Sequence, residues 1–124
     1  EPGGNVARER FAEEVLTPLS HGEKTLSCRR FDCSTQTLLE PKTFAVSPVV
    51  LVEGAYSMHP ALRAFYDFAA FLSIDPQLQR ARILQRNGED GLRRFEERWI
   101  PLENRYFSAL GVVAACRFQL TARD

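Results

Sequence analysis

The sequence lacks an excess of charge of either sign: 16 Lys and Arg offset 16 Asp and Glu across 124 residues. Without a net field the surface does not gather a polyanion, so nucleic acid and an anionic membrane are set aside as main partners, and phosphate chemistry has to come from a local cluster. Long apolar runs are also missing. Runs such as Val49 to Val52 and Val112 to Cys116 fall far short of the ~20 residues that span a bilayer. The start, Glu1-Pro2-Gly3-Gly4-Asn5, has neither the basic nor the apolar portion of an export signal, which leads to the expectation of a cytoplasmic protein. Cysteine is scarce and odd in number at three, which argues against a disulfide framework and for reduced thiols. Cys28 and Cys33 with His21 do not reproduce a zinc-knuckle spacing. Finally, no Gly is followed by Lys, so the string GxxxxGK[ST], whose backbone cradles nucleotide phosphates, does not occur.

What remains is 44% hydrophobic and 10% aromatic, the composition of a folded domain, expected to be a single one over 1–124. Phe11, Val15 and Leu19 recur at four-residue spacing and predict an amphipathic helix over 5–19 opened by Asn5. Residues 24–39, rich in Thr, Ser, Cys and Phe with turn residues at 32–34, predict a hairpin. Val49 to Val52, closed by Glu53-Gly54, predicts a buried parallel strand. Pro60 opens a short helix reaching Phe68, Ala69 to Ile74 is a second strand, and Asp75-Pro76 caps and starts a helix that Asn87-Gly88 ends. Leu92, Phe95 and Trp99 mark another helix, Pro101 breaks or restarts it, and Cys116, Phe118 and Leu120 alternate as a last strand. Strands alternating with helices give an α/β class with a parallel sheet.

Two features carry chemistry. Glu53 ends a strand, and in open α/β sheets ligands bind beyond the carboxyl ends of strands, where an acid holds magnesium or a water. Arg80, Arg82 and Arg86 follow on one helix; the last two, four residues apart, share a face and can grip successive phosphates, with Arg93 and Arg94 beyond the loop. Each has a plainer counterpart: a loop carboxylate for Glu53, and for the arginines a solvated face neutralised by Glu89, Asp90, Glu96 and Glu97. Tyr56 and His59 divide in the same way between substrate contact and helix capping, and Phe95, Trp99 and Phe107 at helical spacing are expected in the core.

In order, NVARERFAEEVLTPLSHGEK, RRFDCSTQTL, VVLVEGAYSMHPALRAFYDFAAFLSID, QRARILQRNG and FEERWIPLENRYF resemble the uridine kinase and phosphoribulokinase group of P-loop kinases. The resemblance covers nearly all of residues 3–120. It implies a P-loop NTPase kinase fold in which 1–124 is the C-terminal portion of one domain, with a substrate-covering hairpin at 24–39 and a lid at 76–94. VVLVEG is then similar to the Walker B strand, with Glu53 near magnesium, and QRARILQR to the lid, with Arg80, Arg82 and Arg86 on phosphate. RRFDCSTQ is similar to the hairpin over the nucleoside, which implies Phe31, Asp32 and Gln36 near the base or ribose, with Tyr56 and His59 also on the substrate side. Phe31 stands where those kinases often have Tyr, and Gln36 where His is common.

The implied activity is transfer of the γ-phosphate of ATP, with magnesium, to the 5′-hydroxyl of a pyrimidine nucleoside. Another small alcohol, such as pantothenate, a sugar phosphate or another nucleoside, is the alternative within that class. The family's P-loop and aspartate base have no counterpart here, so an N-terminal portion is expected to precede Glu1, and its P-loop strand would lie between 49–53 and 69–74. A non-catalytic kinase-like binding module is the competing expectation from a different class. The resemblance also implies a homo-oligomer.

Overall fold

A computed structural model describes residues 1–123. The fold is mixed α/β, and the chain forms two compact units, one made of 7–53 and the other of 1–6 with 54–123.

In the unit 7–53, α1 (Arg8–Phe11), a π-helical segment Ala12–Leu16 and α2 (Thr17–Ser20) follow one another with helical backbone angles at each junction. Asn5 is not the cap; Ala7 holds that position and makes no side-chain capping bond. The helix ends at Gly22, whose φ of 75° lets the Glu23 N–H return to the Pro18 carbonyl at 3.1 Å. Strand β1 (Thr25–Cys28) pairs antiparallel with β4 (Lys42–Ala45), Thr25 opposite Ala45, and the short β2 (Phe31–Asp32) and β3 (Thr37–Leu38) pair between them. The hairpin therefore extends past the expected 24–39, because the partner of its first strand lies at 42–45. Glu14 joins helix to hairpin: its carboxylate accepts the Arg29 backbone N–H at 2.9 Å and the Arg29 guanidinium at 2.8 Å, while Arg10 donates to the Arg29 carbonyl at 2.7 Å.

The expected buried strand at 49–53 does not form. Val49 is 82% and Leu51 89% exposed, and no strand includes them. An apolar β-branched run becomes a buried strand only when neighbours take up its backbone donors and acceptors, and no described strand pairs with this one.

The second unit carries the parallel pair. The helix expected from Pro60 to Phe68 shrinks to a 3₁₀ turn, Arg63–Phe65. Strand β5 (Ala70–Ile74) runs parallel to β6 (Phe118–Ala122), with Ala70 opposite Phe118, Leu72 opposite Leu120 and Ile74 opposite Ala122. The last strand thus starts two residues later than the alternation predicts, because Cys116 is buried in the core before the chain enters the sheet.

Between the strands lie α3 (Pro76–Arg94), a π-helical segment Phe95–Trp99, α4 (Ile100–Ala109) and α5 (Val112–Ala115). The Asp75 carboxylate accepts the N–H groups of Gln77 and Leu78, as the Asp-Pro pair predicts. Gly88, at φ 70° and ψ −177°, breaks α3 into two arms. The arms fold back on each other: Arg80 reaches Glu96 and the Arg86 guanidinium lies 5.9 Å from the Phe95 ring, whereas 16 residues of straight helix would separate the first pair by ~24 Å.

Both π-helical segments end two residues before a proline, Pro18 and Pro101. A proline ring clashes with the carbonyl four residues back, here Glu14 or Glu97, and a widened turn carries that carbonyl aside. Pro101 therefore sits within a continuing helix rather than breaking it.

The core of this unit is Met58, Tyr106, Val112 and Cys116, with Tyr56, Tyr66, Phe71 and Phe107 packed around it. Gly3 is buried against the Tyr106 ring, where an added Cβ would meet Cε2 at 3.0 Å. Among the described residues no helix is long and apolar enough to cross a membrane.

Candidate functional site

The expected site residues divide between the two units: Phe31, Asp32, Gln36 and Glu53 in one, Tyr56, His59, Arg80, Arg82 and Arg86 in the other.

In the hairpin, Asp32 and Gln36 build the turn that separates β2 from β3. The Asp32 carboxylate accepts the Ser34 hydroxyl at 2.6 Å and the Ser34 N–H at 2.8 Å, which hold its pKa below the ordinary aspartate range. The Gln36 amide donates to the Cys33 carbonyl at 2.7 Å while its backbone takes φ 55°, the left-handed conformation. Phe31 is 44% exposed on the adjoining strand. The polar atoms of Asp32 and Gln36 thus serve the loop, and the ring of Phe31 is the larger surface this hairpin offers a ligand.

Glu53 is exposed in the segment after β4, without the strand that was expected to hold it. Magnesium needs several oxygen ligands in octahedral array, supplied by one or two carboxylates with phosphates and water. No group of three or more His, Cys, Asp or Glu able to hold a metal ion exists among the described residues. Glu53 alone does not make a magnesium site.

The arginine helix is organised more closely. Arg80 is ion-paired with Glu96 across the Gly88 turn and lines a cleft with Gln77, Leu92 and Ile100. Arg82 donates to the Arg123 carbonyl at 3.0 Å, which ties this helix to the residue just past β6. Arg86 donates to the Asn87 side-chain carbonyl at 2.8 Å and stacks near Phe95. Among the described residues the partners of Arg82 and Arg86 are neutral, while Arg80 is paired with a carboxylate. Four positions apart on one arm, Arg82 and Arg86 lie ~6 Å apart along the helix, a spacing that suits two anionic groups.

The segment carrying Tyr56 and His59 is pinned through three consecutive carbonyls. The Tyr106 hydroxyl donates to the Tyr56 carbonyl at 3.1 Å, the Tyr66 hydroxyl to that of Ser57 at 3.0 Å, and Arg63 Nε to that of Met58 at 3.0 Å. Arg63 also donates to the Leu110 carbonyl at 2.6 Å. Burial pushes the Tyr106 hydroxyl up to about 12 and raises that of Tyr66, so both remain donors through neutral pH. His59 Nδ1 accepts the Ala61 N–H at 3.2 Å, a capping contact that directs the imidazole proton to Nε2. The Tyr56 hydroxyl is buried without a hydrogen-bond partner among the described residues.

Sequence reasoning assigned no site role to Arg63 and Tyr66, whose donors meet carbonyls up to 47 residues away, a relation that no local spacing encodes. The chain matches no family model, and no curated protein matches it in sequence.

Proposed function

We propose that these residues belong to a P-loop kinase of the uridine kinase kind and supply its acceptor-side hairpin and its phosphate-closing arginine helix. The observation that carries the proposal is the arm 76–87, which starts directly after a parallel strand and bears two exposed arginines that pair with no carboxylate among the described residues. In phosphoryl transfer, charge spreads over the oxygens of the transferred group, and paired guanidiniums that close over it stabilise that state. Arg82 and Arg86 act in this way, and Arg80 holds the two arms of the helix together through Glu96. Phe31 packs against the base or sugar of a nucleoside acceptor, and in the other unit the segment with Tyr56 and His59 is preorganised by the bonds from Tyr106, Tyr66 and Arg63. The donor is ATP. The GxxxxGK[ST] nest is not among these residues and Glu53 does not form a metal site by itself, so no step is assigned to magnesium here. Three free cysteines and the neutral surface suit a cytoplasmic setting.

Phosphotransfer by the full-length protein tests the proposal. Arg86→Ala is expected to lower kcat by about 10²-fold or more while leaving the fold intact; an unchanged rate removes the arginine role. A panel of uridine, cytidine, pantothenate and sugar phosphates then identifies the acceptor.

The absent GK string favours a second reading, a kinase-like module that binds without transferring phosphate. Titration of the folded 124-residue chain with Mg·ATP bears on it: micromolar binding contradicts the second reading, and no binding agrees with it.

A further inference from the structure

Asn87 and Gly88 form the corner of the arginine helix, and the chain holds two further asparagines to set beside them, Asn5 before Val6 and Asn104 before Arg105. The side-chain amide of an asparagine followed by glycine is open to attack by the next backbone nitrogen, because glycine has no Cβ to obstruct the approach and no narrow limit on φ. Asn87 stands where that attack is favoured. It and Gly88 are both exposed, so hydroxide and water reach them. Gly88, at φ 70° and ψ −177°, ends the first arm, so no regular helical turn continues past Asn87, and the position of a Gly88 Cβ opens onto space.

Two neighbours hold the amide in place. Arg86 Nε donates to Asn87 Oδ1 at 2.8 Å, and this is the oxygen on which negative charge develops when a nitrogen adds to the amide carbon. Gly91 is buried and packs against the same side chain, since a Cβ at Gly91 would collide with that of Asn87.

We propose that Asn87 is a deamidation site, with the Gly88 nitrogen as nucleophile and Arg86 as the group that stabilises the oxyanion. The Gly88 nitrogen gives its proton to hydroxide and forms a bond to Asn87 Cγ. The bond from Cγ to the side-chain nitrogen then breaks, and ammonia leaves with a proton from water. Water opens the resulting five-membered imide at one of its two carbonyls, which yields aspartate or isoaspartate. Hydroxide and water are the only co-reactants. The product carries a carboxylate beside Arg86, whose partner before the reaction is a neutral amide. One consequence rests on Arg82 and Arg86 acting as a paired anion grip: deamidation ties one of the two guanidiniums to a carboxylate, and the grip weakens as the molecule ages.

Peptide mapping of the whole chain after incubation at mildly alkaline pH is the test. The fragment 87–93 released by trypsin has a single side-chain amide, so a gain of about 1 Da in it reports Asn87. That gain is expected to be about tenfold or more faster than at Asn5 or Asn104, where a side chain on the following residue obstructs attack. Arg86→Ala, read by fragment ions that separate Asn87 from Gln85, is expected to slow it about threefold or more. No gain at Asn87, or one no faster than at Asn5 and Asn104, overturns the site. A gain that Arg86→Ala leaves unchanged overturns the part given to Arg86. Titration with tripolyphosphate separates the consequence from the grip beneath it: the unaltered chain is expected to bind, and Asn87→Asp to bind about threefold or more weakly. An unaltered chain that does not bind removes the grip, whereas equal binding by the two removes only the effect of deamidation on it.

Discussion

The Tyr106 hydroxyl donates to the backbone carbonyl of Tyr56 at 3.1 Å, and the two rings meet edge to face with centroids 4.9 Å apart. Tyr106 is fully buried, so this one side chain both fills the core and holds the loop that carries Tyr56 and His59. Tyr106→Phe keeps the packing and leaves the carbonyl without its donor, for an expected loss of about 1–2 kcal/mol in chemical denaturation. Tyr106→Ala also opens a cavity and is expected to lose about 3–5 kcal/mol. A Phe variant as unstable as the Ala variant contradicts this division.

Alkali acts on the same group. The folded hydroxyl titrates at about 12, above the ordinary tyrosine value of 10, so above pH 10 the unfolded chain ionises first and stability falls. That contribution is fully present below pH 10 and lost as pH rises toward 12. Thermal melts at rising pH are expected to show a smaller alkaline drop for Tyr106→Phe.

Glu14 works in the opposite direction. The Arg29 backbone N–H and guanidinium hold its pKa below the usual glutamate range. Its depressed value stabilises the fold at pH above the ordinary glutamate range, and that contribution disappears as pH falls through the folded value. Carboxyl NMR titration of Arg29→Ala, which keeps the backbone N–H, is expected to return Glu14 part of the way toward ordinary behaviour; an unmoved midpoint would show that the guanidinium does not contribute.

Gly88 occupies φ 70°, ψ −177°, a conformation essentially closed to other residues. Nothing lies within 4 Å of an added Cβ, so the penalty of Gly88→Ala is purely one of backbone strain, about 1–3 kcal/mol. The readout is the denaturation midpoint, together with the helical signal of the folded state. A neutral substitution would mean that the arms pivot elsewhere.

Thiol labelling distinguishes the three cysteines. Cys33 is exposed, Cys28 is partly covered, and Cys116 is buried with its thiol pushed up by that burial. Under native conditions Cys33 is expected to react first and Cys116 last, by about tenfold or more. Rapid labelling of Cys116 would contradict the packing around Tyr106.

The elements read correctly from the sequence are those whose chemistry is local. Asp75-Pro76 opens α3, Asn87-Gly88 turns it, and Ala70–Ile74 forms a strand, because cap, turn and apolar run each act within a few residues. Val49 to Val52 is equally apolar, yet its state depends on a neighbouring strand, which a sequence window does not contain. Asn5 has the chemistry of a cap, but the helix begins at Arg8. At the candidate site the arginine helix was legible from spacing, while the Glu96 partner of Arg80 and the carbonyl partners of Arg63 and Tyr66 arise only when distant segments meet. Asp32 and Gln36 were taken as ligand contacts, and the structure shows their polar atoms engaged within their own turn.

Ser73 and Thr121 meet across the parallel pair although 48 residues separate them in the chain. Closing so long a loop loses chain entropy before the sheet returns anything, whereas the contacts around Gly88 join residues close in sequence. The helical hairpin therefore forms early and acts as the clasp that brings the two strands within reach. Pulsed hydrogen exchange during refolding is expected to protect amides of 76–109 before those of 70–74 and 118–122. Folding order in this unit is thus set by a single glycine turn, and the sheet is the last part of it to be assembled.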